Sequence, residues 1–427
     1  MSLLDYYRQF EGMSEEEVNA ELRERAAERK RKALARVETL DLSQTTWPEL
    51  PDPRVVGAIT YVARRGLHRY PHLGGSGLRV ALAERHGISP QRLVLGNGAA
   101  ELLSAATRAM IEPGQRLLTL WPSYPLYPLM ARRAHGRPEP VEGGLQDLLE
   151  RAQEPDVRVI ALASPNDPTG ELVRTEELRW LLEQLPVGVG VLLDEALVEF
   201  ADAQPVDSSL ELLETHPRLL VFRSFSKAWG LAGLRIGYAI GGPGSEELLA
   251  ELDPDLGVSE VSQAGALEAL DRTSATIAER GRDLGARRPQ LIADVRELGY
   301  AVSESQANFL WVSHPEIPGA EIAARLARKG ILVAAGDAQT AGRARGGRRA
   351  LRGGLTATRR QRGGTARAPG SENPQPVEPA WRRSAEVVPS RILRHALTDS
   401  ASSSKCSTTW RRRLGEISKP WRSAIAW

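Results

Sequence analysis

Sulfur is nearly absent from this chain. One cysteine, Cys406, occurs in 427 residues, so no internal disulfide can form and a reducing cytoplasm is the expected setting. Long apolar runs are absent as well. No stretch reaches the roughly 18 apolar residues of a membrane-spanning helix, and the N-terminus carries no signal-peptide apolar core, so neither a span nor export is expected. The seven histidines suggest no ligand set, and no metal is expected. No internal repeat is found, which sets aside solenoids and propellers. With 41% hydrophobic residues, the chain is long enough to bury a large core and divide it between two domains.

What is present concentrates in a few segments. Ser224-Phe225-Ser226-Lys227-Ala228-Trp229-Gly230 runs on to Arg235, placing one lysine among hydroxyls with a guanidinium eight residues later. A lysine amine can condense with an aldehyde, while hydroxyls and a guanidinium take a phosphate dianion in charge-assisted hydrogen bonds. That combination is how a protein holds pyridoxal phosphate. Read plainly, the same string is a strand end entering a glycine-rich loop, with Lys227 facing solvent. Upstream, Ser164-Pro165-Asn166-Asp167-Pro168-Thr169-Gly170 follows the apolar run Val157 to Leu162, and Asp194 closes the run from Val191. Apolar runs of this kind read as parallel strands buried on both faces, whose carboxyl ends are where open α/β sheets bind ligands. Asp194 as a helix N-cap and Asn166 as a turn residue are the ordinary alternatives.

In this order the segments resemble the fold-type I aminotransferases that use pyridoxal phosphate, and within them the histidinol-phosphate aminotransferase branch, over roughly Ser43 to Asp337. The resemblance implies roles. Lys227 corresponds to the Schiff-base lysine, Asp194 to the carboxylate facing the pyridine nitrogen, and Asn166 to the donor to the ring hydroxyl. Gly96-Asn97-Gly98-Ala99-Ala100-Glu101 is similar to the family's phosphate turn, with the amides of Ala99 and Ala100 as donors at a helix start. Ser224, Ser226 and Arg235 join them on the phosphate. Tyr124, in Pro122-Ser123-Tyr124-Pro125, matches the aromatic that lies against the ring. Tyr70, in His68-Arg69-Tyr70-Pro71, matches the tyrosine that reaches the phosphate of a neighbouring subunit, which implies a homodimer. Ser305-Gln306-Ala307-Asn308-Phe309 matches the small-domain strand. Tyr124 as core filler, Tyr70 as a turn residue and Asn308 as a strand cap remain open.

The expected reaction is transfer of an amino group between a small amino donor, histidinol phosphate first, and a 2-oxo acid. Lys227 would serve as general base on the substrate Cα proton. A decarboxylase of the same fold and a non-catalytic cofactor-binding protein are the alternatives. Two departures bear on substrate. Leu197 stands where the family places an aromatic, and Ser43-Gln44-Thr45-Thr46-Trp47-Pro48 replaces a stretch containing Asn and Glu.

A third departure is larger. Residues 338–427 hold 19 Lys and Arg against 5 Asp and Glu, a surplus of fourteen positive charges in a chain whose formal net charge is +2. Arginine, glycine, alanine, proline and tryptophan dominate there, as they do when GC-rich codons are read out of frame. A shifted frame near Asp337 is expected over an evolved basic arm, and no nucleic-acid partner is expected. On that view no strand carrying a carboxylate-gripping arginine follows Asp337. Arg352 is the nominal candidate, and weak transamination is expected.

The coarse organisation follows. Ser14-Glu15-Glu16-Glu17 carries a capping box for a helical arm to about Val37, within residues 1–51. Residues 52–240 alternate strand-like runs (Leu93–Leu95, Leu117–Leu120, Val157–Leu162, Val189–Leu193, Leu219–Phe222, Ile236–Ile240) with helical segments, predicting an α/β domain with a mostly parallel sheet and helices on both faces. Residues 241–337 predict a smaller α+β domain with helices Pro289 to Leu298 and Gly319 to Arg328 around a strand at Phe309–Val312. Residues 338–427 are read as an irregular tail.

Overall fold

The computed structural model describes residues 39–72, 76–336 and 351–354, together with scattered positions between 14 and 28. After a two-residue strand β1 (Leu40–Asp41), the chain enters a helix, Pro53–Gly66. Asp52 fixes that start: its carboxylate accepts from the Arg54 amide at 2.8 Å, and Pro53 takes the first helical position, where a missing N–H costs nothing. Strands and helices then alternate through β2 (Leu93–Gly96), β3 (Arg116–Leu120), β4 (Arg137–Val141), β5 (Val157–Ala163), β6 (Gly190–Asp194), β7 (Leu219–Ser224) and β8 (Gly237–Gly241).

These seven strands form one sheet in the order β2-β8-β7-β6-β5-β3-β4. From β7 to β4 every neighbouring pair is parallel, and β8 runs antiparallel to both of its neighbours. Alternate residues feed two apolar layers, so Ile160, Leu193 and Val221 pack on one face while Val159, Leu192 and Phe222 pack on the other. Each such side chain contributes about 1.5–3 kcal/mol through burial. The six expected strand runs are all present. β4 was not expected, because Pro138 and Pro140 interrupt it. It lies at the edge of the sheet, the position where proline is tolerated.

The second unit departs from expectation in its helix. One helix of 38 residues, Glu260–Glu297, runs straight through Pro289 instead of starting there. Proline favours a first helical position, which made Pro289 look like a start. Packing overrides that preference: Arg288, buried beside it, donates to Asp202 at 3.0 Å and to the Phe200 carbonyl at 2.8 Å, tying the helix to the large domain. Beyond it lie β9 (Ala301–Val302), β10 (Phe309–Ser313), the helix Gly319–Arg328, β11 (Ile331–Leu332), β12 (Ala334–Ala335) and β13 (Leu351–Gly354).

An antiparallel sheet in the order β12-β13-β10-β9 forms from these, and β1 pairs in parallel with β11. Leu42, Val295, Leu310, Ile322 and Ile331 share its small core, so the end of the expected arm belongs to this unit. The expectation that no strand follows Asp337 is corrected. Leu351–Gly354 fills the gap between β10 and β12, with Arg352 opposite Trp311. A sequence of Leu-Arg-Gly-Gly has little strand propensity of its own, and ladders on both sides supply the order it lacks. The expected capping box forms, with Ser14 N and Oγ both donating to Glu17 at 2.8 Å. The arm helix onward to Val37, Asp337 itself and the tail from residue 355, with Cys406, lie outside the described residues. Among the described residues no helix is long and apolar enough to cross a membrane.

Candidate active site

The carboxyl ends of β5, β6 and β7 open on a cavity of about 220 Å³. Asp194 is the last residue of β6 and is buried. One carboxylate oxygen accepts from the Ala196 amide at 3.0 Å and the other from the Tyr127 hydroxyl at 3.0 Å. Burial pushes its pKa up to about 6. The two hydrogen bonds and the Lys227 charge oppose the shift, and the nearby Asp167 carboxylate adds to it.

Ser224 closes β7, and its hydroxyl accepts from the Ser226 amide at 3.0 Å. This tight turn carries the next residue, Lys227, to the cavity wall, where its Nζ donates to Thr45 Oγ1. Arg235 adopts a left-handed backbone conformation (φ 49°) and donates to Ser226 Oγ at 3.2 Å. Its guanidinium lies against Gly98, where an added Cβ would stand 2.4 Å from Nη2. Gly98 (φ 93°) leads directly into the helix Ala99–Met110. A Cβ on Gly237 would stand 2.6 Å from the Ala99 amide, so glycine there lets the helix start press against β8. Ala99 and Ala100 thus face the cavity beside Arg235, and a helix N-terminus and a cation converge on one spot. Tyr124 forms another wall, edge-on to Tyr127 with ring centroids 5.4 Å apart.

Eight expected residues therefore share one cavity: Lys227, Asp194, Tyr124, Ala99, Ala100, Ser224, Ser226 and Arg235. Two do not. Asn166 bridges its own loop to the segment that follows β3. Its side-chain amide donates to the Pro122 carbonyl at 3.0 Å and to Thr169 Oγ1 at 2.8 Å, and its Oδ1 accepts from Ser123 at 2.8 Å. Both of its amide hydrogens are committed to these two partners. The adjacent Asp167 reaches the wall instead. Tyr70 is 84% exposed, away from this chain's own cavity.

Sequence reasoning set Thr45 and Thr46 in a departing stretch that bears on substrate but gave neither a role. Thr46 lines the cavity, Thr45 is buried against Lys227, and the Thr45 carbonyl accepts from Asn308 Nδ2 at 3.1 Å. No local pattern announces them, since β1–β11 pairing brings their segment across the site. Leu197, singled out as a departure, is part of the wall. Beneath the site, Glu195 follows Asp194 and faces the other way. It accepts from Arg223 Nε at 2.9 Å and Nη2 at 2.8 Å, with both side chains almost wholly buried. This pair clamps the ends of β6 and β7, which carry Asp194 and Ser224.

Comparison with known proteins gives concordant results. The family model described as aminotransferase class I and II matches residues 37–358, past the point where the resemblance was expected to stop. An aromatic amino acid aminotransferase of Mycobacteroides abscessus is 36% identical over 250 residues, covering 58% of this chain and 72% of that protein. Histidinol-phosphate aminotransferase 1 of Cupriavidus pinatubonensis is 34% identical over 291 residues, covering 66% of this chain and 76% of that protein. Among solved structures, histidinol-phosphate aminotransferase from Sinorhizobium meliloti in complex with pyridoxal-5'-phosphate superposes with a TM-score of 0.64 at 27% identity, covering 72% of this chain and 85% of that one.

Proposed function

The chain belongs to the class I and II aminotransferases, and from that membership we propose that it moves an amino group from histidinol phosphate to a 2-oxo acid. It is a pyridoxal-phosphate-dependent enzyme by family. The cavity suits that cofactor. At one end Arg235, two serine hydroxyls and a helix start offer donors to a dianion. At the other, burial raises the pKa of Asp194 to about 6, so that a cationic ring nitrogen would relieve a strained carboxylate. Between them stand an aromatic wall and a lysine amine.

The observation that carries the reading is that Lys227, Asp194 and Arg235 line one cavity at the strand ends. When bound, the cofactor supplies a sink for the electron pair left as a substrate Cα–H bond breaks. In the proposed mechanism Arg235, Ser224, Ser226 and the amides of Ala99 and Ala100 would hold the phosphate, and Tyr124 would pack on the ring. Asp194 would favour a protonated ring nitrogen. Lys227 would anchor the cofactor and, once the donor's amine has displaced it, its Nζ would take the Cα proton and deliver it to the cofactor's carbon and not back to Cα. Asn166, expected to donate to the ring hydroxyl, joins Thr169 of its own loop to the Pro122 carbonyl after β3 and so fixes the loop that carries it beside the cavity. Arg352 is the candidate grip for the substrate carboxylate. Its support is register: β13 places it two positions from the rung that joins Gly354 to Phe309, next to Asn308. The domain limits proposed are 52–240 and 241–337, the latter extended by β13. A cytoplasmic homodimer, with Tyr70 reaching the neighbour's phosphate, completes the proposal.

An aromatic amino acid is the second reading for the donor, because relatives named for that activity match at the same level of identity. Single-turnover half-reactions test both. Histidinol phosphate should convert the bound cofactor faster than phenylalanine or tyrosine at equal concentration. Faster conversion by an aromatic amino acid would reverse the order of the two readings, and release of carbon dioxide without a keto product would establish a decarboxylase.

A further inference from the structure

We propose that Thr45 is a catalytic residue whose hydroxyl keeps the Lys227 amine in place in both of its protonation states. The inference rests on Lys227 being the cofactor-bearing lysine. A base that takes a proton from one carbon and delivers it to another must stay aimed through the exchange, and a lysine on a flexible four-carbon stem does not do so unaided. A hydroxyl suits the task because it accepts a hydrogen bond from an ammonium and donates one to a neutral amine. In this structure Lys227 Nζ donates to Thr45 Oγ1, and Thr45 is only 5% exposed, so bulk water does not easily substitute.

The position of Thr45 is set from both sides. Its carbonyl accepts from Asn308 Nδ2 at 3.1 Å, and Asn308, one residue before β10, is wholly buried. Two residues on, the Trp47 ring stacks on Phe200 at 6.1 Å between centroids and lies 4.4 Å from the Arg280 guanidinium. Arg280 in turn donates to the Ala228 carbonyl at 2.6 Å, the residue after Lys227. One clamp therefore grips the threonine segment and the lysine turn together. Arg280 and Trp47 are positioning residues in this arrangement. A threonine that merely satisfied the core would need a hydroxyl near some acceptor, not a doubly anchored backbone facing this amine.

The test uses Thr45→Val and Thr45→Ser beside the unaltered chain, each freed of cofactor. Acetylation of Lys227 by acetic anhydride is followed against pH by peptide mass mapping. A charge-assisted bond to the ammonium is stronger than one to the neutral amine. Thr45→Val should therefore lower the titration midpoint by about one pH unit, while Thr45→Ser should retain it. In the loaded enzyme, Thr45→Val should lower kcat about ten-fold or more with KM little changed. An unshifted midpoint in Thr45→Val, or an equal shift in Thr45→Ser, would overturn the proposal. Borohydride fixation of cofactor in the unaltered chain tests the Lys227 reading separately, since attachment elsewhere would remove that reading while leaving the acetylation result interpretable.

Discussion

Replacing Asp194 by asparagine should change how the stability of the cofactor-free protein depends on pH. The amide preserves shape and still offers an acceptor to the Ala196 amide and a partner to the Tyr127 hydroxyl. What it removes is a titration. Asp194 has its pKa raised by burial from 3.8 to about 6, so between those values the folded chain binds a proton that the unfolded chain does not. Its contribution is fully present below about pH 3.8 and is lost as pH rises through about 6. A rise of roughly two pKa units corresponds to about 3 kcal/mol. The wild-type protein should therefore lose about 2.5 kcal/mol relative to Asp194→Asn between pH 4 and pH 7. Urea unfolding of both proteins across that range, with cofactor removed, reads the difference directly. The variant should be the more stable at pH 7, and the gap should close near pH 4. Loading both with pyridoxal phosphate should reverse the order at pH 7, because a cationic ring nitrogen opposite Asp194 favours the ionised carboxylate. A gap between the two cofactor-free proteins that stays constant from pH 4 to pH 7 would show that Asp194 is not held as a desolvated carboxylate, and the reasoning would fail.

Lys227→Ala should abolish borohydride-stable attachment of cofactor while leaving non-covalent uptake measurable by fluorescence; labelling equal to wild type would contradict the assignment. Gly98→Ala should weaken binding of inorganic phosphate and of cofactor by roughly 10–100-fold, since the new methyl group displaces Arg235 from a charge-assisted site; calorimetry showing wild-type affinity would refute it. Glu195→Gln should cost about 1–3 kcal/mol, since the buried Arg223 guanidinium keeps Asp207 but loses the carboxylate opposite Nε and Nη2, read as a shift in the urea midpoint.

Legibility in sequence tracked locality. The parallel strands were readable because a strand buried on both faces is apolar throughout, as in β6 and β7, and the site residues that end such strands, Asp194 and Ser224, were readable with them. Arg235 was found because its spacing from Lys227 is local. Asn166 lies beside the cavity, and the adjacent Asp167 lines it. Sequence identified the loop but not which side chain turns inward, and only the bonds to Pro122, Ser123 and Thr169 decide that. β4 and β13 were missed for a shared reason: proline at Pro138 and Pro140 and glycine at Gly353 and Gly354 argue against strands, and their ladders are imposed by neighbours. Thr45 was invisible as a partner of Lys227 because 182 residues separate them.

The pairing of β1 with β11 joins Leu40 to Ile331, near opposite ends of the described chain. On a ribosome the threonine segment emerges early, yet its docking strand is made about 290 residues later, a delay of roughly 15–60 s at 5–20 residues per second. The large sheet, from Leu93 to Gly241, can close in that interval, with the lysine turn already built. Throughout it Leu40 and Leu42 lack the small core that later covers them. Assembly of the catalytic cavity is thus a late event in the life of the nascent chain, and cofactor that arrives earlier meets a site with one wall still to come.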